Sequence, residues 1–429
     1  MRHYLNILLL SFYYPPDLSA CSFRTQALLK AMLPRLPDDA RIDVITTLPN
    51  RYASFSAAAP ETEHGPQLSV YRVALPSHQS GMLDQARAFI SYARAVNRLV
   101  KEQQYDLVVA TSSRLMTATL GACIARRQSA ALYLDIRDIF VENLRYVLPK
   151  GMRRLGSAVF SPIERWTLGQ ADKINLVSPG FAGYFEARYP SRRFSWFTNG
   201  VDELFASSSD MGAGFKVSGS EATGNEVLGN EAPGNEVPVS EVSGDKESGH
   251  EDRLRVVYAG NIGTGQGLDR ILPELAERTA ERLEFMVIGD GGGKEALREA
   301  LQARRISNVQ LLDPLCRDAL MDEYRSADIL FLHLNDMPAF LRVLPSKLFE
   351  YAATGKPIWA GLAGYAAGFV SQEIDNAVVF PPCDAVSAVQ VLEQLELRPC
   401  KRDDFVACYH RARLMADMAE DILDTHRDG

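Results

Sequence analysis

Residues 344–357 read LPSKLFEYAATGKP and predict a short helix that begins with a charged turn. The Pro-Ser pair suits a helix start with Ser346 as its cap, and the Gly-Lys-Pro run ends the helix. Lys347 falls in the first turn, where a positive side chain opposes the helix dipole unless an anion binds there. Glu350 follows about one turn later on the same face. The segment therefore predicts an anion site at Lys347, beside a carboxylate that can accept hydrogen bonds from a diol such as ribose.

The rest of the chain alternates short apolar runs with segments long enough for helices. Six runs precede residue 200, at 5–10, 42–47, 68–73, 107–110, 131–134 and 174–177. Six more follow residue 253, at 255–259, 285–288, 309–312, 329–332, 357–360 and 377–380. Apolar strands that alternate with helices are typical of parallel sheets covered on both faces. The chain is therefore predicted to be α/β, with two doubly wound, Rossmann-like domains.

A repetitive segment separates the two halves of the chain. Pentapeptides such as SGSEA, TGNEV and LGNEA follow one another from Ser218. A repeat rich in Gly, Glu and Ser has no apolar face to bury, so we expect a disordered linker at 206–252. An acidic docking segment or a phosphorylated segment is the alternative. The predicted domains are then 1–205 and 253–400, followed by a C-terminal helix within 401–429 that packs back toward the first domain.

The composition narrows the class of protein. The 46 Lys and Arg residues against 54 Asp and Glu give a formal net charge of −8, which does not favour a nucleic-acid partner. The six cysteines lack any zinc-site spacing, so we expect no metal or other cofactor and a cytoplasmic location. The chain has no run of about 18 apolar residues, and the run at 5–10 leads into Tyr-Tyr-Pro-Pro rather than a cleavage site. Any membrane contact is therefore expected to be peripheral.

Three further segments follow predicted strands, the places where open parallel sheets bind ligands. Residues 13–24 include small residues that let a phosphate or sugar approach the backbone, or that simply make a tight turn. Residues 134–140, LDIRDIF, place three charges at a strand end, where they serve a ligand or pair with one another. Residues 258–267, YAGNIGTGQG, precede a helix predicted at 268–278, and a glycine-rich loop at a helix start binds phosphate. The glycine spacing does not match the dinucleotide fingerprint of dehydrogenases.

These four segments, in this order, resemble the retaining glycosyltransferases of family 4, which have the GT-B fold of two facing Rossmann-like domains and a cleft between them. The resemblance covers nearly the whole chain apart from the repeat, and includes NGVD at 199–202 and VIGDG at 287–291. It is greatest to bacterial enzymes that build O-antigen, capsule and other surface polysaccharides. It implies transfer of a sugar from a nucleotide-sugar, such as a UDP-sugar, to a glycan or polyprenyl-linked acceptor, with retention and without a metal.

The resemblance also implies roles for individual residues. It makes catalytic residues of Asp138, Arg137 and Lys347. Glu350 becomes the ribose ligand, and Lys347 with the amides of residues 346–348 holds the diphosphate. The implied donor-binding set is Glu350, Ser346, Lys347, Leu348, Gly260, Asn261, Gly263, Gly265, Gln266, Gly267 and Gly289. The implied acceptor-side set is Ser19, Ala20 and Arg24.

The sequence departs from the family pattern in four places, and the first is Arg137, where the family usually shows a histidine before the aspartate. A Ser-Ala pair at 19–20 replaces two glycines, and the acidic residue expected eight positions before Glu350 is Arg342. In the phosphate loop, Asn261 and Gln266 replace the family's frequent Arg and Lys. Two alternatives to a transferase therefore stay open: a non-catalytic subunit that binds a nucleotide-sugar or acts as a scaffold, and a nucleotide-sugar epimerase of the same architecture.

Basic and apolar residues are mixed from Arg145 to Trp166, beginning RYVLPKGMRRL. Such a segment can rest on an anionic membrane and receive a lipid-linked acceptor at the inner face of the cytoplasmic membrane. An ordinary surface helix with one face in the core is the alternative.

Overall fold

Two β-sheets, each covered by helices, make up the chain. The computed structural model describes residues 4–17, 19–50, 58–76, 82–112, 114–147, 150–206 and 253–427. The pentapeptide repeat, and with it all of the predicted 206–252 linker except Ala206, lies outside the described residues.

The first sheet has eight strands in the order β3-β4-β2-β1-β5-β6-β7-β8. The strands are β1 (Asn6–Leu10), β2 (Arg41–Thr47), β3 (Thr62–His64), β4 (Leu68–Val73), β5 (Leu107–Ser112), β6 (Ala131–Ile136), β7 (Lys173–Leu176) and β8 (Arg193–Ser195). Neighbouring strands are parallel except for β3, which runs antiparallel to β4. All six residues of the central strand β5 are buried, as expected for a parallel strand with helices on both faces.

The second sheet has six strands, all parallel, in the order β11-β10-β9-β12-β13-β14. The strands are β9 (Leu254–Ala259), β10 (Leu283–Ile288), β11 (Val309–Leu312), β12 (Ile329–His333), β13 (Ile358–Gly361) and β14 (Ala377–Phe380). The strand order reverses between β9 and β12, and open α/β sheets bind ligands beyond the carboxyl ends of strands at such a reversal.

Helices connect the strands in both halves. The first half contains α1 (Ala20–Met32), α2 (Met82–Leu99), α3 (Leu115–Gln128), α4 (Phe140–Val147), α5 (Arg153–Gln170), α6 (Ala182–Arg188) and α7 (Glu203–Ala206). The second half contains α8 (Leu268–Arg278), α9 (Lys294–Ala303), α10 (Arg317–Ser326), α11 (Lys347–Ala353), α12 (Gly364–Glu373), α13 (Ala385–Leu392), α14 (Asp403–Cys408) and α15 (Arg411–Arg427).

The predicted α/β fold is confirmed, and each of the twelve predicted apolar runs forms a strand. The helix predicted at 268–278 is α8. The strands β3 and β8 were not predicted because each has only three residues, TEH and RFS, which show no apolar run. Short edge strands of this kind form through their neighbours in the sheet rather than through their own composition.

The last helix, α15, packs on α1 and the first sheet rather than on the second. Its Met415, Met418 and Ile422 are fully buried in one cluster with Ile7 and Leu9 of β1. The preceding α14 belongs to the second domain, where its Phe405 lies in the same cluster as Phe349 of α11. The chain therefore crosses from the second domain back to the first between α14 and α15.

This return crossing lies beside the outgoing one. The amide of Val201 donates to the carbonyl of Tyr409 over 2.7 Å, and the amide of Arg411 donates to the carbonyl of Val201 over 2.8 Å. A Cβ on Gly200, whose φ is +67°, would lie 2.7 Å from the Tyr409 carbonyl oxygen. Glycine therefore permits the outgoing and returning connections to pass in contact.

The docking of α15 can be tested by truncating one of its core side chains. We expect Ile422→Ala to lower the free energy of unfolding by about 2–5 kcal/mol, because a fully buried isoleucine leaves a cavity when it is cut back. Urea denaturation followed by tryptophan fluorescence measures this. Asp417→Ala, an exposed position on the same helix, is the control and should change the value by less than about 0.5 kcal/mol. Equal effects of the two substitutions would contradict the docking of α15.

Candidate active site in the interdomain cleft

A cavity of about 400 Å³ opens between the carboxyl ends of the two sheets and is lined by residues of both domains. Its size is within the range of small-molecule sites. The predicted site residues that line it are Ser19, Ala20, Asp138, Gly260, Asn261, Gln266, Gly289, Ser346, Lys347 and Glu350. Among the described residues, the predicted ones that do not line it are Arg24, Arg137, Gly263, Gly265, Gly267 and Leu348. The structure thus brings ten of the sixteen predicted residues together around one cavity.

Lys347 lies across a glycine platform at the second-domain wall. A Cβ on Gly260 would overlap the Lys347 side chain, and a Cβ on Gly289 would overlap the carbonyl oxygen of Gly260. Both glycines have positive φ, +154° and +148°. The Lys347 ammonium lies 3.5 Å from a carboxylate oxygen of Glu350, and the two side chains are only 21% and 15% exposed. This part of the cavity wall therefore carries a cation beside a carboxylate, both partly shielded from water.

The start of α11 differs from the prediction in two respects. Ser346 has helical backbone angles and its side chain makes no capping hydrogen bond, so the predicted cap is wrong. The amide of Leu348 donates to the carbonyl of Pro345 over 3.2 Å, because the helical turn already begins at that proline. The Leu348 amide is therefore already used within the helix, and its role as a phosphate ligand stays a prediction. Its side chain is fully buried.

The glycine-rich loop holds its shape through its own polar side chains. The Gln266 side-chain oxygen accepts hydrogen bonds from the Asn261 side chain over 2.8 Å and from the Gly263 amide over 3.1 Å. The Gly260 amide donates to the carbonyl of Ile288 over 2.8 Å. The amides of Gly260 and Gly263 are thus already used, and the place of these two glycines in the donor site stays a prediction. Asn261 and Gln266 bind each other where basic residues were expected.

The other two loop glycines are required by packing. A Cβ on Gly265 would lie 2.9 Å from the ring of Phe340, and a Cβ on Gly267 would lie 2.8 Å from the side chain of Asn335. Gly267 also has a φ of +59°. These two glycines do not line the cavity, and their place in the donor site stays a prediction.

Two buried polar residues of the second domain, which the sequence analysis did not predict, form hydrogen bonds to the backbone of this loop. The His333 ring donates from Nδ1 to the carbonyl of Gln266 over 2.6 Å and accepts at Nε2 from the Cys383 amide over 2.9 Å. The Asn335 side chain donates to the carbonyl of Thr264 over 2.8 Å. The two bonds of His333 require its neutral form, because one ring nitrogen must accept. His333 ends β12 and Asn335 lies two residues beyond it, so the carboxyl end of this apolar run is the sequence signal for both.

The two charged residues of the first domain that were predicted to be catalytic differ in their relation to the cavity. Asp138 is exposed and lines the cavity. Arg137 instead donates to the Asn199 side chain over 3.1 Å and approaches the Asp135 carboxylate at 3.9 Å. Arg137 therefore positions neighbouring residues rather than lining the cavity.

Arg24 was predicted to face the acceptor but is buried beneath the cleft. Its guanidinium contacts both carboxylate oxygens of Asp135 at 3.2 Å and donates to the carbonyl of Phe197 over 2.8 Å. Burial on its own raises the pKa of Asp135, but Arg24 and then Arg137 outweigh burial and lower it below its usual value. Asp135 therefore stays ionised between two arginines, and the pair is part of the framework.

The Ser-Ala pair at 19–20 begins α1 at the cavity edge. The Ser19 hydroxyl accepts from the amide of Ser22 over 3.1 Å and so caps the helix. A cap at this place explains why serine can replace glycine here.

A cross-domain contact that the sequence did not predict closes one end of the cavity. The guanidinium of Arg317, at the start of α10, lies 4.4 Å from the ring centroid of Phe23 on α1. Arg317 also forms an ion pair of 2.9 Å with Asp202. Arg317 and Phe23 both line the cavity. The only sequence signal was the position of Arg317 just after β11, at the carboxyl edge of the second sheet.

Among the described residues, no group of three or more His, Cys, Asp or Glu side chains is arranged to hold a metal ion. The expectation of a metal-independent site stays a prediction. None of the helices in the described part of the chain is both long and apolar enough to cross a bilayer.

Solved structures identify the class to which this fold and cleft belong. The crystal structure of Anabaena Alr3699/HepE in complex with UDP superimposes with a TM-score of 0.60 and 14% identity, covering 98% of this chain and all of that one. WaaG, a glycosyltransferase involved in lipopolysaccharide biosynthesis, gives a TM-score of 0.57 and 15% identity over 98% of both chains. The trehalose-6-phosphate synthase OtsA gives 0.64 and 11%, covering 97% of this chain and 98% of that one. The chain has the GT-B fold.

Two sequence-family models match the chain, one before the predicted linker and one that begins inside it. The glycosyl transferase 4-like domain matches residues 25–200, and the glycosyl transferases group 1 domain matches residues 243–408. The chain belongs to the family 4, or group 1, glycosyltransferases. WcaI of Escherichia coli (strain K12), named as a glycosyl transferase of colanic acid biosynthesis, is 35% identical over 105 residues. That match covers 24% of this chain and spans 26% of the relative's length.

The histidine beneath the loop makes stability depend on pH. Burial lowers the pKa of His333 to about 4 in the folded chain, against about 6.5 for a free histidine. Between these values the unfolded chain binds a proton that the folded chain does not. The stabilisation is therefore complete above about pH 6.5 and is lost as pH falls toward 4, by at most about 3 kcal/mol.

We therefore expect the difference in unfolding free energy between the wild type and His333→Ala to shrink from pH 7 to pH 4. Urea denaturation of both proteins at several pH values measures it. His64→Ala, which changes an exposed histidine, is the control and should show a difference that does not vary in this way. A pH-independent difference for His333→Ala would contradict the neutral, buried ring.

Proposed function

We propose that this protein is a glycosyltransferase that transfers a sugar from a nucleotide-sugar, most simply a UDP-sugar, to a glycan or polyprenyl-linked acceptor of a bacterial surface polysaccharide, with retention of the anomeric configuration. The observation that carries the proposal is the composition of the cavity: Asp138 comes from one domain, and Lys347 and Glu350 come from the other. The family membership and the UDP and UDP-glucose bound by the Anabaena HepE relative support it.

The donor diphosphate is assigned to the Lys347 end of the cavity. Its ammonium is the cation beside Glu350, and the absence of a Cβ at Gly260 and Gly289 leaves room for the lysine chain to lie flat beside the ligand. The amides of Ser346 and Lys347 are the first candidates for the same anion, because the Leu348 amide already donates to the carbonyl of Pro345. Glu350, 15% exposed, is assigned to the ribose hydroxyl groups as a hydrogen-bond acceptor.

The chemistry requires charge to move onto the leaving diphosphate as the anomeric carbon becomes cationic. A fixed cation in a site with little water stabilises the developing negative charge, which is the main means of catalysis open to these residues. Asp138, on the opposite wall, is assigned to the sugar side of the reacting bond. Arg137 holds Asn199 and flanks Asp135, so we assign it a positioning rather than a catalytic role.

Nucleotide binding is tested by thermal unfolding with UDP, GDP and their common sugars. A ligand at about 100 times its dissociation constant stabilises the folded chain by about 2.7 kcal/mol. We expect UDP to raise the unfolding temperature of the wild type, Lys347→Ala and Glu350→Ala to lose most of that rise, and Asp138→Asn to keep it while losing turnover.

The control is Glu299→Ala, which removes an exposed carboxylate from α9 outside the cavity and should respond to UDP like the wild type. If no nucleotide changes the unfolding temperature of the wild type, the transferase proposal fails and the non-catalytic alternative takes its place. The anomeric configuration of the product, read by nuclear magnetic resonance, tests retention.

Membrane contact through the 145–166 segment is the second part of the proposal. On and just before α5, the side chains of Met152, Leu155 and Val159 are 45%, 64% and 49% exposed, and Arg154 beside them is also exposed. Apolar residues at this spacing lie on one helix face. An apolar stripe next to basic residues suits the interface of an anionic bilayer, where a lipid-linked acceptor would be found.

We expect the double substitution Leu155→Glu and Val159→Glu to reduce binding to phosphatidylglycerol vesicles by about tenfold or more, because it replaces apolar contacts with charges that anionic lipid repels. Vesicle co-sedimentation measures the bound fraction. The control is Leu397→Glu, at a leucine that is 53% exposed on the second domain. Wild-type binding by the double variant would support the alternative of an ordinary surface helix.

A further inference from the structure

We propose that Arg342 is a positioning residue, whose ion pair with Glu142 closes the two domains on each other and so sets Asp138 opposite Lys347. The importance of this closure for catalysis rests on the proposed function. The closure itself is a property of the fold and can be measured without any turnover.

The ion pair joins the two domains directly. The Nη1 atom of Arg342 lies 2.8 Å from each carboxylate oxygen of Glu142. Glu142 is on α4 of the first domain, and Arg342 ends the 3₁₀ helix Pro338–Arg342 of the second. The carboxylate is 18% exposed and the guanidinium 38%. Because both side chains are partly shielded from water, their attraction is stronger than that between fully hydrated charges.

The backbone of Arg342 makes a second contact with the first domain. Its carbonyl accepts a hydrogen bond of 2.7 Å from the Ser178 hydroxyl. A Cβ on Gly180 would lie 2.5 Å from the same carbonyl oxygen, so glycine permits this approach. Side chain and main chain of one residue thus hold two separate parts of the first domain, α4 and the turn after β7.

Both partners lie next to residues that line the cavity. Glu142 follows Asp138 by four positions, in the first turn of α4. Phe340 and Val343, on either side of Arg342, line the opposite wall. Among the described residues, Arg342 and Glu142 themselves do not line the cavity. The ion pair therefore fixes both walls of the cavity from outside it.

This arrangement explains the departure of residue 342 from the family pattern. A carboxylate at this position would face Glu142 across the domains, and two like charges at such a distance repel. An arginine there converts the repulsion into attraction. Glu142 thus provides the partner that an arginine at position 342 needs. The loss of the family's acidic residue therefore no longer favours a non-catalytic subunit.

The pair is tested by reversing its charges singly and together. We expect Glu142→Arg and Arg342→Glu each to speed amide hydrogen exchange in 140–147 and 338–343 and to increase the radius of gyration measured by small-angle X-ray scattering. The double variant E142R/R342E, which restores opposite charges, should return both measurements to near the wild-type values. The control is Arg282→Glu, which breaks an ion pair of 2.6 Å with Glu393 inside the second domain and should not change either.

Turnover and nucleotide binding separate this proposal from the proposed function. The UDP-induced rise in unfolding temperature should persist in all four variants, because neither residue of the pair lines the cavity. Turnover of the UDP-sugar selected by that assay should fall about tenfold or more in the two single variants and recover in the double one. Wild-type exchange and scattering in the single variants, or no recovery in the double variant, would overturn the role of Arg342. Failure of UDP to bind the wild type would overturn the proposed function instead.

Discussion

The two-domain arrangement depends on the buried guanidinium of Arg411, which binds the outgoing connection between the domains to the returning one. It donates to the carbonyls of Asn199 and Gly200 over 2.9 and 3.1 Å and pairs with Asp202 at 2.5 Å. The side chain is 6% exposed. Separating the two connections would leave this buried charge without partners, which would cost folding free energy. The guanidinium therefore holds the outgoing chain against the returning one. Because Asp202 also pairs with Arg317, the same carboxylate connects the crossing to the rim of the cleft.

From this fixed crossing, the two halves of the cavity are built by different means. The second-domain wall depends on close backbone approach at Gly260 and Gly289, which lets the lysine of α11 lie along the loop. The first-domain wall depends on a buried charge cluster, in which Asp135 lies between Arg24 and Arg137. The contacts of the glycine wall are steric, whereas those of the charged wall are ion pairs shielded from water.

Much of the fold could be predicted because its signals are local. Apolar runs of four to six residues mark strands, and the glycine-rich loop and the PSKLFEY segment mark strand ends beside the cavity. The details that failed depend on partners far along the chain. Arg24 is buried by Asp135, 111 positions away, and the Arg342–Glu142 pair joins residues 200 positions apart. The hydrogen bonds of the Leu348 and Gly263 amides could not be predicted for another reason. The sequence shows which amides are near a site, but not which of them already donate to other groups of the protein.

The placement of α15 has a consequence for how the protein is made. Its side chains complete the cluster around Ile7 and Leu9, yet the ribosome synthesises them only after the entire second domain. Domains usually fold in the order in which they emerge. Here the first domain to emerge must wait, with part of its apolar surface uncovered, until the last helix described here has left the exit tunnel. Pausing or truncation late in translation would therefore leave the apolar surface of the N-terminal half uncovered. A chaperone that shields apolar surface would be needed longest at that half.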